Sequence, residues 1–127
     1  MNVASLDLCK ELYGLSGWGH GTGNRTAWEY TQYEEGSNWR VTPWGYGVCY
    51  ASHVAYDLGY LLRKLPQNSW VGYVDTSGKR GYALANTYAW NEKGDDIDKI
   101  AECRADTPED TACKLAIELF KQGILKR

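Results

Sequence analysis

The chain has 127 residues, a formal net charge of −2, and no apolar run near the ~20 residues that a membrane span requires. This length suits one domain over 1–127, the lack of such a run argues against a membrane partner, and the balanced charge argues against a general nucleic-acid binder. Six Trp and ten Tyr supply apolar mass that the few Leu, Ile, Val and Phe do not, so we expect a folded, aromatic-rich domain.

The N-terminal part predicts a short helix followed by a glycine-rich segment and two strands. Leu8, Cys9 and Leu12 recur at helical spacing, which predicts a helix over 5–13 that ends at Gly14. Residues 14–24 form a loop that lacks the strand context and the G-K-[ST] ending of a phosphate loop. Residues 26–33 and 38–42 predict strands joined by a turn at 34–37.

The middle of the chain predicts a second helix and then a hairpin. The helix spans 54–64, with Ser52 as its cap and Pro66 as its stop. Its apolar stripe is formed by Val54, Leu58, Leu61, Leu62 and Leu65. The hairpin has strands over 69–76 and 80–90 and a turn at 77–79.

The return strand of this hairpin alternates small and large residues. One face carries Ala83, Ala85, Thr87 and Ala89, and small residues there allow a helix to approach closely. The other face carries Tyr82, Leu84, Asn86, Tyr88 and Trp90, which must be covered or must bind something.

The C-terminal part predicts an acidic loop over 91–98, a short strand over 100–104 and a third helix. Thr107 is its expected N-cap, Pro108 occupies the first helical position and Gly123 ends it. Together the elements predict an α+β fold with a mostly antiparallel sheet of four or five strands. The three helices are expected to pack mainly on one face, with the last helix on the face of Ala83.

No motif in the sequence indicates catalysis or a metal site. His20 and His53 are the candidate general bases, but nothing places an acid beside either of them. The four cysteines form no C-x-x-C pair, and the acidic loop lacks the glycine and distal glutamate of a calcium loop. We therefore expect neither an enzyme nor a protein that holds a metal or another cofactor.

Aromatic residues and arginines are the candidate binding residues. Trp and Tyr offer large contact areas, bases stack on their rings, and arginine pairs with anions. We expect segment 14–50 to lie over the large-residue face of the return strand and to leave an aromatic cleft. The candidate site residues are Trp18, Arg25, Trp28, Trp39, Arg40, Trp44, Tyr82, Tyr88 and Trp90. The alternative is that such aromatics belong to the core, as we expect for Tyr56, Tyr60 and Tyr73.

Several stretches resemble a family of small uncharacterised proteins from tailed-phage and prophage genomes. They are ASLDLCKELY at 4–13, AYDLGYLLRKLP at 55–66, ADTPED at 105–110 and CKLAIELF at 113–120. The resemblance covers the three helices and does not extend to 14–50. It implies a phage accessory protein that acts in the bacterial cytoplasm, and it carries over no catalytic residue.

Two functions follow as hypotheses from this resemblance and from the aromatic content. In the first, the protein counters host defence by sequestering a nucleotide-derived immune signal in an aromatic and arginine cleft. In the second, an exposed aromatic surface caps a host defence protein. The chain begins with no signal peptide, which agrees with a cytoplasmic location, and a homo-oligomer is compatible with either hypothesis.

Overall fold

The structure is a computed structural model that describes residues 2–19, 24–45, 47, 49–76 and 79–127. The elements in chain order are α1 (Leu6–Ser16), β1 (Trp28–Gln32), β2 (Arg40–Pro43), β3 (Ala51–Ala55), α2 (Leu58–Lys64), β4 (Ser69–Thr76), β5 (Lys79–Trp90), β6 (Ile97–Ala105) and α3 (Pro108–Lys121). The α+β class and the three helices are confirmed. None of the described helices is long and apolar enough to cross a membrane.

The strands form two separate antiparallel sheets of three strands each, with orders β2-β1-β3 and β4-β5-β6. The expected single sheet of four or five strands is therefore wrong. The reason is β3, whose residues were predicted to begin a helix. Paired with β1, this strand completes a first sheet before the chain reaches the second hairpin.

The second helix starts later than the sequence predicts. Val54 lies in β3 and α2 begins at Leu58, so Ser52 is a strand residue rather than a cap. Val54 and Ala55 are both buried, and a short continuous apolar run of this kind cannot be distinguished from a helix by periodicity. The actual N-cap is Asp57, whose Oδ1 accepts a hydrogen bond from the Tyr60 amide at 2.7 Å.

The first helix ends later than predicted. Gly14 lies inside α1, which continues to Ser16 and ends at Gly17 in the left-handed conformation, with φ of 67°. The Ser16 hydroxyl donates to the Leu12 carbonyl within this last turn. The end of α1 therefore lies beside Trp18, at the start of the glycine-rich loop.

The third helix forms as predicted and seals one face of the second sheet. Thr107 caps it by accepting a hydrogen bond from the Asp110 amide, and Pro108 stands at its first turn. Leu115 and Leu119 are fully buried, and they share one core with Ala85. Ala83 is also fully buried, which confirms that the small-residue face of β5 packs against α3.

Tyrosines fill the core between the helices and the first sheet. Tyr56 is fully buried, and its hydroxyl donates to the Trp18 carbonyl at 2.7 Å. The Tyr60 ring stacks on it at 5.4 Å between centroids. Burial raises the pKa of both hydroxyls, to about 12 for Tyr60. The core role predicted for these two tyrosines is confirmed, whereas Tyr73 is 55% exposed and that prediction is wrong.

Candidate binding surfaces

The second sheet leaves one face uncovered by α3, and we call it the outer face. Trp70 on β4 pairs with Asn86 on β5, and Ile97 on β6 pairs with Trp90, so all four side chains project on this side. The remaining members of the outer face are Gly72, Val74, Tyr82, Leu84, Tyr88, Lys99, Glu102 and Arg104.

Large apolar side chains stand exposed on the outer face. Trp90 is 65% exposed, Ile97 51% and Trp70 49%. A shallow groove of about 240 Å³ runs between Trp90, Ile97, Tyr88 and Asn68. Trp90, on the large-residue side of β5, therefore meets solvent, because α3 already occupies the other side of the sheet.

The Trp70 ring lies over Gly72, where there is no side chain to displace it. A Cβ atom at residue 72 would lie only 2.3 Å from the Trp70 Cζ2 atom. Gly72 thus provides the space in which the indole lies across the strand.

Charged side chains border the aromatic part of the outer face. Arg104 Cζ lies 4.8 Å from the centroid of the Tyr82 ring, a cation–π contact. Lys99 forms an ion pair with Glu102, which lowers the pKa of this carboxyl and raises the pKa of the lysine. Beyond Trp90, exposed residues 92–98 carry four acids and one base. One end of the outer face is therefore strongly acidic.

One buried polar atom on the outer face has no partner in the part of the chain that the structure describes. The Asn86 side chain is only 5% exposed, and its Oδ1 accepts no hydrogen bond. An unpaired buried acceptor costs stability. Asn86 lies between Trp70 and Glu102 in the strand register, so this acceptor is at the centre of the outer face.

The predicted residues of segment 14–50 lie elsewhere, in several places. Trp18 is half-buried and packs edge-on against Phe120 at 5.2 Å between centroids. Trp28 is half-buried in β1, between Pro43 and Ala55. Trp18 therefore packs against the core, whereas Trp28 is placed only by its pairing within the first sheet.

The other predicted residues of this segment form pairs of a cation with a ring. Arg25 Cζ lies 3.7 Å from the centroid of the Trp44 ring, which is 47% exposed. The Arg40 guanidinium is 5.6 Å from the Tyr33 ring. The Trp39 ring has Lys10 Nζ at 5.5 Å.

The structure does not bring the nine predicted site residues into one cleft. In the described residues, the strands of the first sheet make no extensive contact with those of the second, and α1 and α3 pack between them. Tyr82, Tyr88 and Trp90 therefore lie on a different surface from Arg25 and Trp44. His20 and the adjoining residues 21–23 lie outside the described residues.

A separate cleft of about 340 Å³ lies beside the first sheet, and we call it the Trp44 cleft. Its walls include Tyr13, Glu29, Trp44, Ser52 and His53. His53 Nδ1 donates to the Val54 carbonyl at 2.8 Å, since a carbonyl can only accept, and Tyr13 packs edge-on against the imidazole at 5.3 Å. Glu29 Oε1 accepts a hydrogen bond from the Gly45 amide.

Sequence reasoning selected Trp44 but did not associate it with Tyr13, Glu29, Ser52 and His53. These residues come from α1, β1 and β3, and no spacing in the sequence links them. The register of β1 with β3 pairs Glu29 with Val54 and Thr31 with Ser52, so Glu29 and Ser52 share one face of the first sheet, whereas His53 pairs with Tyr30 on the other.

The Trp44 cleft contains a histidine, a serine and a carboxylate, but not in the arrangement of a catalytic triad. A triad requires the base to bond both the nucleophile and the orienting acid. In the described hydrogen-bond network, His53 bonds the Val54 backbone and Glu29 bonds the Gly45 backbone.

Within the described ranges, no three His, Cys, Asp or Glu side chains are grouped so that they could hold a metal ion. Comparison with protein-family models, with curated proteins and with solved structures finds no match for the chain. Its surfaces are therefore the basis for inferring its function.

Proposed function

We propose that this chain is a phage accessory protein that binds a host protein in the bacterial cytoplasm through its outer face. The observation that carries this proposal is the exposure of Trp70, Trp90 and Ile97 on one side of a sheet whose other side is sealed. Exposed apolar groups gathered on one surface are typical of interaction sites. The phage origin rests on the resemblance of the three helices.

The charges around the outer face specify the chemistry of the partner. Residues 92–98 place four acids and one base beside Trp90. This charge repels the phosphates of a nucleic acid and attracts lysine and arginine side chains. The partner surface should thus have an apolar centre that receives Trp90 and Ile97 and a basic flank that faces the acidic loop.

Sequestration of a nucleotide-derived signal is the second candidate function. The stacking of Arg25 on the exposed Trp44 ring supports it, since a ring and a guanidinium can together take a base and a phosphate. It ranks second because Glu29, the one charged side chain among the described residues that line the adjacent cleft, repels a phosphate.

The first test is capture of the partner by immobilised protein from a lysate of a host bacterium. The double variant Trp70→Ser, Trp90→Ser should lose a partner that the wild-type chain retains, by at least about tenfold, because these side chains are the expected anchors. Tyr50→Ser is the matched control: Tyr50 is 59% exposed and lies outside the outer face.

Two outcomes would overturn the proposal. In one, the double variant captures the same protein as strongly as Tyr50→Ser does. In the other, sedimentation shows that the outer face joins two copies of this chain instead of a host protein. A melting temperature raised by a cyclic dinucleotide, with the increase abolished in Trp44→Leu, would favour the second candidate.

A further inference from the structure

The Trp44 cleft has a net negative lining. Glu29 is the one charged residue among the described residues that line it, and no ion pair involving Glu29 occurs in the described chain. Its Oε1 accepts a hydrogen bond from the Gly45 amide at 3.2 Å, and this bond orients the carboxylate but does not neutralise its charge. A ligand with a positive charge would therefore be attracted to the cleft.

The polar groups of the cleft include acceptors beyond this carboxylate. The Ser52 hydroxyl can accept a hydrogen bond, and the register of β1 with β3 places it on the same face as Glu29. The cleft is thus suited to a ligand that brings several N–H donors.

The aromatic walls are suited to the same kind of ligand. The Arg25 guanidinium lies over one face of the Trp44 ring, at 3.7 Å from its centroid, which leaves the other face for a ligand. Arg25 does not line the cleft, whereas Tyr13 and Trp44 both do. Indole and phenol rings attract organic cations through their negative faces.

We propose that the Trp44 cleft binds a small organic cation that bears a guanidinium or primary ammonium group. The charged group donates to Glu29, and its alkyl part lies against Trp44. A volume of about 340 Å³ is enough for a ligand the size of agmatine. This site is on the first sheet and is independent of the binding role proposed for the outer face.

Calorimetric titration with agmatine at low ionic strength tests the proposal. We expect the wild-type chain to bind with a dissociation constant of about 1 mM or lower. Glu29→Gln keeps the oxygen that accepts from Gly45 but removes the charge, so it should weaken binding by at least about tenfold. Glu35→Gln removes an exposed charge outside the cleft and should bind as the wild type does.

Three results would overturn the proposal. They are no detectable heat with the wild-type chain at about 10 mM agmatine, equal affinities for wild type and Glu29→Gln, and tighter binding of a nucleoside monophosphate than of agmatine. A second variant, Trp44→Leu, provides an independent check, because loss of the indole should weaken agmatine binding even where the carboxylate remains. The Gly45 and Ser52 amide resonances should shift on titration in the wild-type chain.

Discussion

The two sheets use their aromatic residues in opposite ways. In the first, Tyr30 points inward, and its hydroxyl donates to the Ala4 carbonyl beneath α1. In the second, the inward positions hold Ala83 and Ala85, which are fully buried under α3, and the aromatic residue Trp90 points out. A long helix packed closely on a sheet leaves room for small residues only, so the large ones of that strand go to solvent.

This difference shows that aromatic content alone does not reveal a binding surface. Tyr30 and Trp90 both lie in strands that carry Trp and Tyr, but one contributes to the core and the other stays available for a partner. Whether an aromatic residue is buried or exposed depends on which face of its sheet the neighbouring helix covers. Four tests measure how much the packing of the helices against each sheet contributes to the stability of the protein.

The largest effect is expected where α3 seals the second sheet. Leu115→Ala removes a fully buried side chain and should lower the free energy of unfolding by about 2–5 kcal/mol, since a cavity remains. Urea denaturation measures this. Leu62→Ala, the same truncation at a side chain that is 46% exposed, is the control. Equal losses of unfolding free energy in the two variants would show that α3 does not pack against the second sheet through Leu115.

Alkaline pH should weaken the side of the core near the first sheet. Burial raises the pKa of Cys9 from 9.0 and that of Tyr30 from 10.0, each to about 12. As pH rises, the unfolded chain therefore loses these protons at a lower pH than the folded chain does. The folded state is stabilised in full below pH 9, and this stabilisation is lost as pH rises towards 12. Between pH 8 and 11 we expect a loss of about 2–3 kcal/mol from Cys9 alone.

Urea denaturation at a series of pH values measures this loss. Cys9→Ala should make the decline above pH 9 shallower, because the variant has no thiol to ionise at this position. A stability that stays constant from pH 8 to 11 in the wild-type chain would contradict the burial of Cys9.

The small-residue face of β5 should not tolerate a larger side chain. Ala85→Leu should cost about 1–3 kcal/mol by overpacking the contact with α3. Trp90→Leu, on the opposite face of the same strand, should change the free energy of unfolding by less than about 0.5 kcal/mol. If Ala85→Leu were neutral and Trp90→Leu costly, the two faces of β5 would be reversed.

A smaller effect should distinguish the starts of the two long helices. Thr107 accepts a hydrogen bond from the Asp110 amide, so Thr107→Ala should destabilise α3 by about 1 kcal/mol. Ser5 makes no side-chain capping bond at the start of α1, and Ser5→Ala should leave the melting temperature almost unchanged. Thermal unfolding of both variants measures the difference, and a larger loss in Ser5→Ala would contradict it.

The sequence predicted those elements whose signals are local. Thr107 and Pro108 mark the start of α3 by capping chemistry, and the alternation from Tyr82 to Trp90 identifies both faces of β5. It did not reveal β3, because Val54 and Ala55 are consecutive buried residues. Without that strand, the presence of two sheets could not be deduced.

The candidate surfaces were predictable only in part, for a similar reason. The exposed position of Trp90 follows from alternation within one strand, which the sequence displays. The stacking of Arg25 on Trp44 and the position of Ser52 on the same sheet face as Glu29 depend on strand register and loop paths, which the sequence does not display. Contacts between distant segments require the fold.

The indole N–H resonances of the six tryptophans give the most direct test of the outer face as a contact surface. When the captured host protein is added to the labelled chain, the Trp70 and Trp90 signals should shift or broaden, while that of Trp18, packed on Phe120, should not. Shifts confined to Trp18, or unchanged Trp70 and Trp90 signals in a formed complex, would contradict a partner site on the outer face.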